Sequence, residues 1–154
     1  MRKFLIALVV MAGMFSMVNA QELSKAIGLR GGGGGEISYL HPLGDATRME
    51  LDLGFNWGSI MAHGTYQWVK DLSSVTEGLN WFYGAGAGLG FYTVPGISGF
   101  TAGIVGQIGV EYNLPISLPL MISLDYRPGV YFVPFAPNIT GAFGGVYGGI
   151  RYKF

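Results

Sequence analysis

Cysteine is absent from the 154 residues, which excludes a disulfide framework and a lipid-modified N-terminal cysteine alike. Charge is scarce. Asp, Glu, Lys and Arg make up 12% of the chain, about half the usual share of a soluble domain. Nine bases balance nine acids, so no basic surplus points to nucleic acid. Two separated histidines, His41 and His63, give no metal-ligand cluster, and no cofactor motif is present. Long apolar runs are missing as well. Beyond the first 20 residues no uninterrupted apolar stretch approaches 18, which argues against membrane helices.

What the chain does have is grease and glycine. Half of its residues are apolar, 14% are aromatic and 27 are Gly. Part of this is an N-terminal segment in which Met1-Arg2-Lys3 precedes an apolar run from Phe4 to about Phe15. Val18-Asn19-Ala20 then sets small residues at the −3 and −1 positions of a cut, which predicts a signal peptide over 1–20 and a mature domain over 21–154. A membrane-anchoring helix is the alternative, but roughly a dozen apolar residues fall short of the ~20 that span a bilayer. Cleavage leaves seven bases against nine acids, a net charge of −2.

Alternation at period two runs through the mature chain. In Met49-Glu50-Leu51-Asp52-Leu53-Gly54-Phe55-Asn56-Trp57 one face is Met, Leu, Leu, Phe, Trp and the other Glu, Asp, Gly, Asn. Leu120, Ile122, Leu124, Tyr126, Val130 and Phe132 alternate likewise with Met121, Ser123, Asp125, Arg127, Gly129 and Tyr131. The pattern predicts eight strands, at about 25–31, 35–41, 47–57, 60–70, 79–93, 98–113, 118–133 and 142–154. Turn chemistry separates them at His41-Pro42-Leu43-Gly44-Asp45, Val94-Pro95-Gly96, Asn113-Leu114-Pro115 and Pro134-Phe135-Ala136-Pro137-Asn138.

Ten of the 16 mature charges fall on one parity: Arg30, Glu36, Arg48, Glu50, Asp52, Glu111, Asp125, Arg127, Arg151 and Lys153. The others sit at termini, strand ends or turns. The opposite parity is bulky, with Tyr39, Trp57, Trp68, Trp81, Tyr112 and Tyr126 near strand ends, as interfacial aromatic girdles require. The predicted fold is all-β, a closed antiparallel eight-stranded transmembrane barrel with charges inward. Closure removes edges that hydrocarbon cannot hydrogen-bond, and an even strand number puts both termini on one side. A secreted soluble β-sandwich is the competing fold. Gly31-Gly32-Gly33-Gly34-Gly35 reads as a hairpin turn in which glycine supplies positive φ. The alternative is one long first strand, which would make seven strands.

The closing Gly148-Gly149-Ile150-Arg151-Tyr152-Lys153-Phe154 resembles the C-terminal signature of bacterial outer-membrane barrels. With the signal peptide, the resemblance spans the whole chain. It is similar to small OmpA/OmpX-like outer-membrane barrels of Bacteroidetes type, through Ala26-Ile27-Gly28-Leu29-Arg30, Asn80-Trp81-Phe82-Tyr83-Gly84-Ala85-Gly86 and Leu124-Asp125-Tyr126-Arg127-Pro128. The resemblance implies a Gram-negative outer-membrane location with both termini periplasmic. It implies outer-membrane lipid, lipopolysaccharide and the barrel assembly machinery as partners, and a monomer. Tyr152 and Phe154 would be the assembly signal. In one departure from the family, the outer connections at about 32–34, 58–59, 94–97 and 134–141 are short, which argues against an adhesin or receptor.

The five inward bases and five inward acids predict a charge-paired plug, because buried charge persists only when partnered and eight strands leave little interior room. A small passive pore is the alternative. Inward Gly84, Gly86, Gly88 and Gly90 would either admit long side chains or leave a void. Some barrels of this size modify lipid A with a histidine, a serine and an acid. Here His63 faces inward beside Thr65 and Gln67 without a suitably spaced serine, and His41 sits at a turn. The expectation is therefore a structural or weakly channel-forming barrel without catalytic residues.

Overall fold

A computed structural model describes residues 23–56, 58–132 and 145–154. The proposed signal peptide, Trp57 and the Pro134–Asn138 turn lie outside the described residues. Among those described there is no helix. The strands are β1 (Ala26–Gly31), β2 (Gly35–Gly44), β3 (Thr47–Asn56), β4 (Ser59–Asp71), β5 (Leu79–Val94), β6 (Ile97–Asn113), β7 (Leu120–Arg127), β8 (Gly129–Phe132) and β9 (Gly145–Lys153).

From β1 to β7 each strand pairs antiparallel with the next, β8 pairs with β6, and β1 pairs with both β2 and β9. Since β5 also pairs with β6 and β7 with β9, the sheet closes on itself. β7 and β8 are two parts of one barrel strand. Ile108↔Tyr126 and Val105↔Gly129 keep the same register on β6, so the interruption is Pro128 itself, which accepts from the Gly106 N–H at 2.9 Å but has none to return. The result is an eight-stranded closed barrel. The Phe154 N–H donates to the Lys25 carbonyl at 2.9 Å, placing the start of β1 and the end of β9 at one rim.

Local chemistry explains the corners. The polyglycine run is a hairpin, with Gly31↔Gly35 closing the β1–β2 pair. The reason differs from the expected one, because positive φ occurs at Gly58, Gly78 and Gly96 and not in the run. Space is what matters there: a Cβ on Gly32 would lie 2.2 Å from the Val146 carbonyl oxygen, and one on Gly34 2.8 Å from that of Phe55. The expected turn at His41–Asp45 is shorter than predicted. β2 continues to Gly44 through a register shift between Pro42 and Gly44, since a bulge near a strand end tolerates proline. His41 therefore lies on a strand, 3.3 Å through Nδ1 from the Tyr39 hydroxyl.

The side-chain parity is inverted relative to a soluble barrel. Ile104 on the outside is 71% exposed, whereas Arg127 and Glu50 inside are 0% exposed. Outward apolar residues continue around the barrel, including Leu29, Leu51, Ile60, Leu89, Ile122 and Ile150. Tyr66, Trp68, Tyr83 and Trp81 form an outer aromatic run with ring centroids 4.8, 5.4 and 5.3 Å apart in turn. Tyr126, expected near a strand end, instead lies at mid-strand beside the Pro128 break, opposite Ile108 and Val146. The inward side is packed, with Ala26, Leu40 and Met121 clustering towards the rim of the termini and Met61, Val105 and Tyr131 towards the other end. Charge lies between these two clusters.

Candidate functional site: the charged barrel interior

Arg30 projects inward from β1 because its neighbours Leu29 and Gly31 take the outward parity. Its Nη1 lies 2.8 Å from Asp52, 3.0 Å from Glu50 and 3.3 Å from Glu36. Its Nη2 donates to both carboxylate oxygens of Asp125 at 2.6 Å. One guanidinium thus gathers acids from β2, β3 and β7. Arg127 bonds Asp52 at 2.9 Å through Nη1 and Glu36 through Nη2. Arg151 donates to Ser38 at 3.0 Å, to Ser123 at 2.8 Å and to Glu50. Towards the rim of the termini, Arg48 donates to Gln67 at 2.6 Å and to Glu111 at 3.0 Å.

Neutral groups join these pairs into one network. Gln107 donates from Nε2 to Asp125 at 3.0 Å and to Glu50 at 3.2 Å. Its Oε1 accepts from Thr65 at 3.0 Å and from Gln67 at 2.8 Å. Gln67 also donates to Glu50, Ser38 donates to Glu50 at 3.1 Å, and Asn80 donates to Glu111 at 3.2 Å. Aromatic faces cover the cations, with Tyr147 at 5.1 Å from Arg30 and 4.5 Å from Arg127, and Phe82 at 5.0 Å from Arg48. Arginine suits this role because its planar fork bonds several carboxylates at once.

Nine of the ten inward charges are therefore buried, and each of the nine has an opposite partner. Lys153, expected in the interior network, differs. It is half-buried at the rim and joins no ion pair among the described residues. As the last residue of β9 it can lay its stem on the barrel wall while its ammonium stays wet. The buried set thus holds four arginines against five carboxylates. Charge alone would not have revealed Ser38, Thr65, Gln67, Gln107, Ser123, Asn80 or Tyr147. Their inward parity was the available signal.

The inward glycines of β5 leave no void beside β4. A Cβ on Gly84 would meet Gln67 Cγ at 3.0 Å, one on Gly88 would meet His63 Cδ2 at 2.6 Å, and one on Gly90 would meet Met61 Sδ at 2.6 Å. Side chains of the adjacent strand fill that space. His63 itself is 2.8 Å through Nε2 from the Tyr131 hydroxyl, with the rings edge-on. No group of three or more His, Asp or Glu arranged to hold a metal ion occurs among the described residues. Tyr152 and Phe154, the expected assembly signal, both point outward on the apolar side. Comparison with protein-family models, with curated proteins and with solved structures returned no match.

Proposed function

We propose that the chain is a structural, at most weakly channel-forming, outer-membrane β-barrel of the OmpA/OmpX-like kind, with a plugged interior and no catalytic mechanism. The observation that carries this reading is the inversion itself: Arg30, Glu50, Asp52, Asp125 and Arg127 are buried and bonded inside while Leu29, Ile104, Leu124 and Phe132 are exposed outside. Water would penalise that exterior, and hydrocarbon would favour it. A network reaching from Glu36 to Glu111 occupies the path an ion would take. In this reading residues 1–20 are a signal peptide cleaved near Ala20, both termini face the periplasm, and the barrel inserts as a monomer. Its partners are outer-membrane lipid, lipopolysaccharide and, during assembly, the machinery that reads Tyr152 and Phe154.

Cell fractionation combined with gel heat-modifiability tests the reading. An outer-membrane barrel is expected in the outer-membrane fraction, migrating differently before and after boiling. Recovery in the soluble periplasmic fraction would contradict it.

A further inference from the structure

Charge inside the barrel does not balance. Arg30, Arg48, Arg127 and Arg151 face five carboxylates, all of them buried, and a buried charge without compensation is costly. One positive charge is lacking, and the hydrogen bonds show where. Both ion pairs of Asp52, to Arg30 at 2.8 Å and to Arg127 at 2.9 Å, run through Oδ2. Its Oδ1 is buried and has no hydrogen-bond partner among the described residues. Glu36 Oε2 and Glu111 Oε2 also lack a hydrogen bond, but they lie 3.3 Å from Arg30 and 2.7 Å from Arg48.

Directly opposite Asp52, on β4, stands His63. Such cross-strand pairs hold their Cβ atoms about 4.5–5.5 Å apart, and these two side chains both point inward, 3% and 4% exposed. Nε2 of His63 meets the Tyr131 hydroxyl at 2.8 Å, whereas its Nδ1 has no hydrogen-bond partner among the described residues. A vacant carboxylate oxygen and a vacant ring nitrogen therefore occupy neighbouring positions. Around them are Arg30 from β1, Glu36 from β2, Glu50 from β3 with its partner Arg151 from β9, and Arg127 and Asp125 from β7. Tyr131 of β8 bonds the ring, and Tyr147 of β9 covers Arg30 and Arg127. At this level β5 and β6 present only Gly88 and Gly103.

We infer that Asp52 and His63 bind one proton between them, the positive charge the plug otherwise lacks. The proton lies between Asp52 Oδ1 and His63 Nδ1, filling both vacancies and making the buried set neutral. Oδ2 goes on accepting from Arg30 and Arg127. A cavity of about 20 Å³ lined by Gly33, Gly34, Glu36 and His63, among others, has room for one water through which the proton exchanges. The site depends on the buried network alone and not on what surrounds the barrel.

Proton linkage tests this. Above about pH 7.5 an unfolded aspartate and an unfolded histidine are both deprotonated. Folding there takes up one proton, so stability falls as pH rises. Denaturant titration of the barrel in detergent between about pH 7.5 and 9 should show the unfolding equilibrium constant rising about tenfold per pH unit. Asp52→Asn balances the arginines against four carboxylates and offers His63 an amide N–H, so it should remove that slope. Wild-type stability that is independent of pH over this range would overturn the inference, as would an unchanged slope in Asp52→Asn. If Asp52→Asn fails to show heat-modifiability, proton release on unfolding the unaltered barrel at about pH 8 decides, read with an indicator dye. About one proton per chain supports the site and none overturns it.

Discussion

Arg30 on β1 and Asp125 on β7 are 95 residues apart in sequence, yet Arg30 Nη2 meets both Asp125 oxygens at 2.6 Å. The pair crosses the inside of the barrel, since β9 lies between their strands. It ties the first strand to the seventh, and Arg30 extends the tie to Asp52 and Glu50 on β3.

Truncating this hub should be costly. Arg30→Ala leaves Asp125 and its neighbours buried without their cation, which typically costs about 3–5 kcal/mol. Arg127→Ala should fall in the same range, because Glu36 and Asp52 lose a partner. Denaturant titration followed by heat-modifiability reads both. Wild-type-like midpoints would mean that these charges are solvated.

Facing predicts a second contrast. Arg in place of outward Leu51, Ile122 or Ile150 should destabilise the inserted barrel by about 2–4 kcal/mol if the position lies near the bilayer midplane. Arg in place of inward Gln107 should cost less, because Gln107 sits between Glu50 and Asp125 in an interior with more acids than bases. Equal losses at both classes of site would contradict the parity.

The glycines offer a finer test. Nothing lies within 4 Å of a Cβ built on Gly31 or Gly35, but one on Gly86 would stand 1.9 Å from the Gly64 carbonyl oxygen. Gly35→Ala should therefore change stability by no more than about 0.5 kcal/mol. Gly86→Ala should cost about 1–3 kcal/mol, because backbone must shift to relieve the overlap. Comparable midpoints for the two variants would refute the close approach of β4 and β5.

Phe154 and His63 separate biogenesis from chemistry. Deleting Phe154 should reduce the folded barrel in the outer membrane, read by heat-modifiability, while unchanged yield would count against an assembly signal. His63→Ala should leave lipid A acyl composition unchanged, because His63 is occupied by Tyr131. An altered acyl pattern would instead favour a lipid-modifying enzyme.

Much of the fold was legible in the sequence because a closed sheet with a charged inner face and an apolar outer face writes its parity into every strand. Glu50 and Asp52 against Leu51 and Leu53 is enough to orient β3. Less legible was whatever depends on neighbours in other strands. No local pattern shows that Gly32 is required by the Val146 carbonyl, or that Arg30 would serve acids on three strands. Inward Phe82 and Met61 were also hidden, since an apolar residue on the polar parity looks like noise until packing shows it shielding Arg48 or clustering with Val105 and Tyr131. Lys153 differs from expectation for a related reason, since it sits half-buried at the end of β9. Parity states which way a side chain points and not how far along the barrel the wall still covers it.

If paired charge seals the interior, conductance across planar lipid bilayers will reveal it. The wild-type barrel should show conductance near zero, rising to resolvable openings in Arg127→Ala or Asp125→Ala. Large, stable, porin-like steps from the wild-type protein would contradict the plug and establish a pore.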